Sequence, residues 1–443
     1  MAGEFIITGG RPLNGTVTIP AAKNSVLPLL AASLLCSGPV RLQAVPQLTD
    51  VEQCLTLLRG VGCAAGWQQQ DILVSGSPRN GRLLPAAAKQ MRASVLFCAP
   101  LLARLGRAET VMPGGCRIGA RPIDIHLTGL EQMGVQCCQT GTEKLVLFAP
   151  TGLHGAQICL RFPSVGATET LMMAAAAAQG ETILTGAAKE PEIVDLALFL
   201  NRCGGCVQGA GTDTIRVQGR RVLKGCIFRP EADRIVASTL ACACAAVGGR
   251  VELQGCDPAW YAPVLEILEQ MGCRVDRSGK TVSVARFAVL KGMGTVQTGV
   301  YPALATDAAP LLAAAALCAQ GESCIRDEIF EQRFACARGF KALGAAVHQE
   351  GRQLLIYPGG QLHGAQLEAP DLRGGAALVI AALAARGQSR IRKIGYIERG
   401  YGDLAGMMTS LGAQIRRETI AECTGDKKRV SKKQNYLAIG AKR

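Results

Sequence analysis

Along this chain, a polar residue followed by glycine and then a strand-like alternation recurs six times. The pairs are Asn14-Gly15, Asn80-Gly81, His154-Gly155, Lys224-Gly225, Lys291-Gly292 and His363-Gly364, spaced by 66, 74, 70, 67 and 72 residues. A second landmark, a helix-like stretch ending in glycine ahead of a strand, falls at Gly62, Gly134, Gly204, Gly272, Gly344 and Gly412, with spacings of 72, 70, 68, 72 and 68. Two unrelated signals that keep one period of about 70 residues predict six copies of one unit.

Within a copy the pattern reads strand, Ala/Leu-rich helix, strand, amphipathic helix, strand pair. In the third copy, 156–160 is strand-like, and 166–178 is apolar nearly all round and so reads as a buried helix. A strand over 181–185 and a helix over 191–203 follow, with Pro191 near the helix start. Gly204 stands where a helix end favours positive φ, and strands return near Cys206 and over 215–217. Repeats this large do not make a solenoid. The expectation is an α/β fold of two globular domains, three units to each, with the apolar helices inside.

Composition agrees. A chain of 443 residues exceeds one ordinary core, and 49% hydrophobic residues fill two, which excludes general disorder. The apolar runs 171–178 and 311–319 fall short of the roughly 20 residues of a membrane span. The first ten residues lack a basic segment and an apolar one, so no signal peptide is expected, and the protein reads as soluble and cytoplasmic. The 19 cysteines lie mostly in apolar stretches and read as reduced residues packed as small hydrophobes. Cys203-Gly-Gly-Cys206 has metal-ligand spacing, but no second pair exists and the four histidines are scattered, so no metal is expected. Of the net charge of +14, residues 424–443 carry +6 and the other 423 carry +8. That mild excess suits small anions. With only 4% aromatics, the stacking platforms of a nucleic-acid binder are missing. Residues 421–443 are expected to form a basic, disordered tail.

Nucleotide-binding glycine loops and a nucleophile elbow are absent from the sequence. Instead, polar residues interrupt the apolar repeats at matching places: Lys23-Asn24, Arg92, Ser164, Asp233-Arg234, Thr306-Asp307 and Asp371-Leu-Arg373. If the repeats stack, six helix starts converge on one cleft, where backbone N–H groups favour anions. Ser164, Asp233 and Asp371 also read as ordinary helix caps. Lys23, Arg92 and Arg373 do not. The segment 113–122, Pro-Gly-Gly-Cys-Arg-Ile-Gly-Ala-Arg-Pro, breaks both periodicities and reads as a mobile loop. In it Cys116 has Arg117 and Arg121 nearby, cations that lower a thiol pKa, although a structural cysteine in a tight turn is the plainer reading.

These residues, in this order, resemble the UDP-N-acetylglucosamine 1-carboxyvinyltransferase family of enolpyruvyl transferases, from about Phe5 to about Arg416. The likeness rests on Ala22-Lys-Asn24, Met91-Arg92-Ala-Ser94, the 113–122 loop with Asp124 and His126, and Ser164-Val-Gly-Ala-Thr168. It continues through Glu190-Pro-Glu-Ile-Val-Asp195, Asp233-Arg-Ile235, Thr306-Asp307, Ile329-Phe-Glu-Gln-Arg333, Asp371-Leu-Arg373 and Arg399-Gly-Tyr401. The resemblance implies two inside-out α/β barrels, each of three βαβαββ repeats. Residues 1–21 would join 230–420 in one domain, and 22–229 would form the other, carrying the Cys116 loop. It further implies transfer of the enolpyruvyl group of phosphoenolpyruvate to the 3-hydroxyl of UDP-N-acetylglucosamine, the first committed step of peptidoglycan synthesis. Phosphate is released without metal or organic cofactor. The family's roles would fall on Cys116 as the acid toward C3, Asp307 as the base on the sugar hydroxyl, and Lys23, Arg121 and Arg399 around phosphoenolpyruvate, with Arg333 and Arg373 in support. Asn24, Arg92, Ser164, Val165, Gly166, Asp307, Ile329 and Asp371 complete the substrate-binding set. A monomer is expected, sensitive to fosfomycin through Cys116. Departures from the family pattern are Val236 and Ala237 after Asp233-Arg-Ile, Ala305 in place of proline, and Glu398 in place of Asp. These motivate one alternative, a low-activity paralogue that binds UDP-sugar and serves regulation. The lost proline would loosen the segment that presents Asp307, and the altered carboxylate would weaken contacts between domains.

Overall fold

Five of the six units described close on a small sheet with one parallel strand pair and a returning antiparallel pair, while the second has three antiparallel strands, Arg107–Val111, Lys144–Phe148 and Gln136–Thr140, and only a parallel bridge from Arg82 to Glu109. The computed structural model describes residues 3–114, 118–119, 122–140, 144–220 and 222–419. In the third copy Gln157–Cys159 lies parallel to Glu181–Thr185, which pairs antiparallel with Thr214–Gln218, and Cys206–Gln208 takes the edge. The helices Val165–Ala177 and Pro191–Arg202 fall within two residues of the pattern-based reading. The fifth copy repeats the arrangement with Gly294–Gln297, Ser323–Arg326, Gln353–Ile356 and Val347–Glu350.

Both repeat landmarks have a backbone cause, though not the same one. Gly62, Gly134, Gly204, Gly272, Gly344 and Gly412 each follow a helix end with φ between 90° and 103°, a conformation that costs other residues strain. The polar-glycine pairs work differently. A Cβ on Gly155 would stand 2.2 Å from the Glu181 carbonyl oxygen, and Gly81, Gly225, Gly292 and Gly364 face a neighbouring backbone oxygen at 2.1–2.4 Å. These glycines are fixed by the close approach of a paired strand and not by a turn.

The exception to simple repetition is an exchange of strands. The stretch after Asn14-Gly15 forms Leu13–Thr18, yet it pairs in parallel with Gly249–Gln254 of the fourth copy. The strand after Lys224-Gly225, Ile227–Phe228, pairs in parallel with Val40–Leu42 of the first. The N-terminal strand Gly3–Thr8 fills the sixth sheet between Gln388–Arg392 and Gln414–Thr419. Where the two connections pass each other they run antiparallel, with the Ala22 N–H donating to Glu231 O at 2.7 Å and the Asp233 N–H donating to Pro20 O at 2.8 Å.

Two apolar clusters result. One gathers Leu29, Leu30, Leu101, Met172 and Phe199. The other gathers Phe5 and Leu13 with Leu240, Leu312, Phe340 and Leu378. In the latter, the helices Arg234–Val247, Ala309–Ala316 and Leu372–Ala384 pack against one another, and their alanines and glycines allow the close spacing. Such helices bury every face, so their charged groups lie only at their starts. This is what brings the chemistry to one place. Among the described residues no helix is long and apolar enough to cross a membrane.

Candidate functional site

The starts of these helices open on a cleft of about 600 Å³. Of the residues singled out from the sequence, Lys23, Asn24, Arg92, Ser164, Val165, Gly166, Asp307, Ile329 and Arg399 line it. Arg333, Asp371 and Arg373 lie behind its wall, and Cys116 and Arg121 are outside the described residues.

Lys23 begins the helix Lys23–Ala32, where its own N–H donates to Asp233 Oδ2 at 3.2 Å. Asp233 in turn caps Arg234–Val247 through Oδ1, accepting from the N–H groups of Ile235 and Val236. One buried carboxylate thus ties together two helix starts, one from each apolar cluster. Lys23 Nζ reaches Asp50 Oδ2 at 2.7 Å, and Arg399 Nε reaches Asp50 Oδ1 at 2.8 Å. Burial alone would raise the Asp50 carboxyl, but Lys23 and Arg399 outweigh it and hold it below its ordinary value. The three side chains form an ion triad that spans the two clusters.

Asp307 is gripped from behind. Arg333 Nη2 donates to Oδ1 at 3.0 Å and Arg373 Nε to Oδ2 at 3.2 Å, and both guanidinium groups are almost wholly buried. Burial pushes the Asp307 carboxyl up, yet Arg373 and Arg333 more than reverse this and place it far below the usual carboxylate range. Asp371 caps Leu372–Ala384 through the N–H groups of Arg373 and Gly374, and Arg373 stacks 5.3 Å from the Tyr401 ring centre. Asp327, fully buried, accepts from the Thr306 hydroxyl at 2.5 Å and from the N–H groups of Ile329 and Phe330. Ala305 has φ −63°, already the angle proline imposes, so the segment presenting Asp307 keeps its path without the ring. Glu398 pairs with Arg417 at 2.7 Å, a contact inside one cluster's sheet and helix layer.

On the opposite wall Ser164 caps Val165–Ala177, accepting from the Ala167 N–H. A Cβ on Gly166 would meet the His126 ring at 3.1 Å. His126 is buried, with Nδ1 2.9 Å from the Thr170 hydroxyl, and burial followed by Arg92 pulls its pKa down to about 4. Arg92 donates to Pro122 O at 2.8 Å. Ser164, Asp233 and Asp371 are all true caps, and Ser164 alone of the three also lines the cleft.

Asp50, Glu169 and Tyr301 on the wall escaped the reading of the sequence, whereas Glu190, Glu192 and Arg234, also on the wall, lie in stretches it had singled out. Arg234 pairs with Glu192 at 3.2 Å and stacks on Tyr301 at 5.5 Å. Burial, reinforced by Glu192 and Glu190, raises Glu169 well above the ordinary carboxyl range. Glu169 had a visible signal, as the one charged residue of an Ala-rich buried helix. Asp50 had none, because an acid in the first turn of an amphipathic helix serves the helix dipole in any protein. The arrangement offers cations to a multiply charged anion, an ionised carboxylate beside them, and a helix start for a further anionic group.

Comparison with known proteins gives consistent results. The pattern defining EPSP synthase (3-phosphoshikimate 1-carboxyvinyltransferase) matches residues 7–408. The chain is 40% identical over 413 residues to the UDP-N-acetylglucosamine 1-carboxyvinyltransferase of Finegoldia magna, covering 93% of this chain and 97% of that one. It is likewise 40% identical to the Nitratidesulfovibrio vulgaris protein of that name, covering 94% and 99%. Among solved structures, the enolpyruvyl transferase NikO from Streptomyces tendae superposes with a TM-score of 0.84 at 24% identity, over 95% of this chain and all of that one. EPSP synthase from Acinetobacter baumannii gives 0.70 at 20% identity, over 95% of this chain and all of its own.

Proposed function

The chain belongs to the EPSP synthase family of enolpyruvyl transferases, and from that premise we propose that it moves the enolpyruvyl group of phosphoenolpyruvate onto the 3-hydroxyl of UDP-N-acetylglucosamine. The observation that carries the choice of acceptor is full-length identity of 40% to enzymes named for that sugar. Its place is the first committed step of peptidoglycan synthesis.

In this reading Lys23 and Arg399 receive the carboxylate and phosphate of phosphoenolpyruvate. Asp50 holds both cations at the cleft before the substrate arrives, so little side-chain ordering remains to be done on binding. Asp307 accepts the hydrogen bond of the attacking hydroxyl. Held far down by two arginines, it is a weak base, so proton removal must accompany protonation of C3 in the same step. Cys116 and Arg121, assigned to that proton and to the phosphate, rest on sequence position alone. Arg333, Asp371 and Arg373 act by fixing Asp307 and not by touching substrate. Asn24, Arg92 and Ile329 contact the UDP-sugar. The Ser164–Gly166 helix start receives its diphosphate, with neutral His126 beside it. The division into residues 1–21 with 230–420, and 22–229, belongs to the same proposal. Separate apolar clusters and the paired connections at Ala21 and Ala232 support it.

Phosphate release from phosphoenolpyruvate tests the reading. Release with UDP-N-acetylglucosamine, and a sugar product heavier by the carboxyvinyl group, supports it. Release only with shikimate 3-phosphate overturns it. Tight UDP-sugar binding without turnover would give the regulatory paralogue in its place.

A further inference from the structure

Three cysteines, at 36, 203 and 226, meet where the helical stretches that start at Lys23 and Pro191 end. Cys203 Sγ lies 3.6 Å from Cys36 Sγ and 3.4 Å from Cys226 Sγ. Cys36 and Cys203 are buried, Cys226 is partly exposed, and all three are free thiols. Their backbones are laced together. The Ser37 N–H donates to Leu223 O and the Lys224 N–H to Cys203 O, both at 2.8 Å, while Cys36 bridges to Leu223. The sulfurs are therefore held in contact by the fold and do not meet by chance rotation. Cys206, the partner that sequence spacing suggested for Cys203, makes neither of these contacts.

We propose that Cys203 is the shared centre of a reversible disulfide site, bonding to Cys226 or, by exchange, to Cys36 when the cell meets a peroxide. The step balances. Two S–H bonds are lost and one S–S bond forms, while the two hydrogens and two electrons cleave the peroxide O–O bond to give two waters. Closing from 3.4 Å to the roughly 2 Å of a disulfide asks for side-chain rotation more than strand movement. The partly exposed Cys226 is the point of attack, and the neighbouring thiol resolves its sulfenic acid. Contact with Cys226 lowers the Cys203 thiol, but contact with Cys36 and burial carry it up to about 12. The cluster thus rests as thiols and is not a fast sensor. The Cys36–Cys203 bond would fasten the far ends of the two helical stretches that start at Lys23 and Pro191, and the Cys203–Cys226 bond would tie the second of them to the strand Ile227–Phe228.

The test treats the full chain with hydrogen peroxide, caps remaining thiols under denaturing conditions and maps linked peptides by mass spectrometry. The expected result is loss of the cappable thiols of Cys203 and Cys226, a Cys203–Cys226 link, and recovery of both thiols with dithiothreitol. Cys226→Ser, at a partly exposed position, should move the link to Cys36–Cys203. Cys203→Ser should abolish both links. Persistence of a Cys36–Cys226 link in Cys203→Ser overturns the shared-centre assignment. So does a wild-type protein in which all three stay cappable after exposed Cys138 and Cys159 are oxidised. If Cys203→Ser does not fold, the shift in Cys226→Ser decides alone.

Discussion

Replacing His126 with glutamine should remove a defined part of the protein's sensitivity to acid. The imidazole is 5% exposed, touches Thr170, and has its pKa drawn from the usual 6.5 to about 4 by burial and then by Arg92. In the unfolded chain the ring gains a proton near pH 6.5, whereas in the folded protein it resists until about pH 4. Between those values the unfolded state binds more protons, so stability falls as pH drops through that window. A difference of about 2.5 units at roughly 1.4 kcal/mol each gives a loss of about 3 kcal/mol between pH 7 and pH 4 from this residue. Glutamine fills a similar volume, can keep a hydrogen bond to Thr170 and carries no titrating group. Chemical denaturation of wild type and His126→Gln at both pH values supplies the double difference. Wild type should lose about 3 kcal/mol more than the variant. Equal losses would mean that the folded protein protonates His126 as readily as water does, and the packing argument would fail.

Other expectations are more direct. Gly155→Ala forces a Cβ to within 2.2 Å of the Glu181 carbonyl, so thermal unfolding should reveal a loss of about 3 kcal/mol or a failure to fold. Asp50→Asn leaves Lys23 and Arg399 facing each other without their shared anion, and it should cost roughly 3 kcal/mol by denaturation and raise the KM for phosphoenolpyruvate. Unchanged values of both would remove the triad from the mechanism. Fosfomycin should alkylate Cys116 alone among the thiols. Cys116→Ser should lose turnover by a factor on the order of 10² or more, as read by phosphate release.

The six-fold repeat was legible because its landmarks are glycines held by the backbone, one set by positive φ and the other by close backbone approach, except that Gly15 in the second set has a positive φ, of 136°, and no backbone atom closer than 3.4 Å to where a Cβ would stand. The strand exchange was not legible. Leu13–Thr18 carries the same strand signal whether it pairs with Val40–Leu42 or with Gly249–Gln254, and no local residue chooses between them. At the site, Lys23, Arg92 and Asp307 announced themselves as charges at the starts of apolar helices. Asp50 stayed hidden, since its role depends on Arg399, 349 residues away. Arg373 was singled out as a charge at a helix start and Arg333 through a family motif, but their position behind Asp307 follows from burial, which neither signal encodes.

The exchanged strands also set an order of events during synthesis. Every strand and helix of the cluster around Leu29 and Phe199 lies between Ala21 and Phe228, so that half can close while the ribosome is still working on the rest. The other half cannot. Gly3–Thr8 is made before every other strand described, yet its two neighbours, Gln388–Arg392 and Gln414–Thr419, follow about 400 residues later. Phe5 and Ile7 of that strand must wait through nearly the whole chain with their apolar faces uncovered, whereas Leu13–Thr18 waits only for Gly249–Gln254. The nascent protein therefore depends for its solubility on whatever shields Gly3–Thr8 in the meantime.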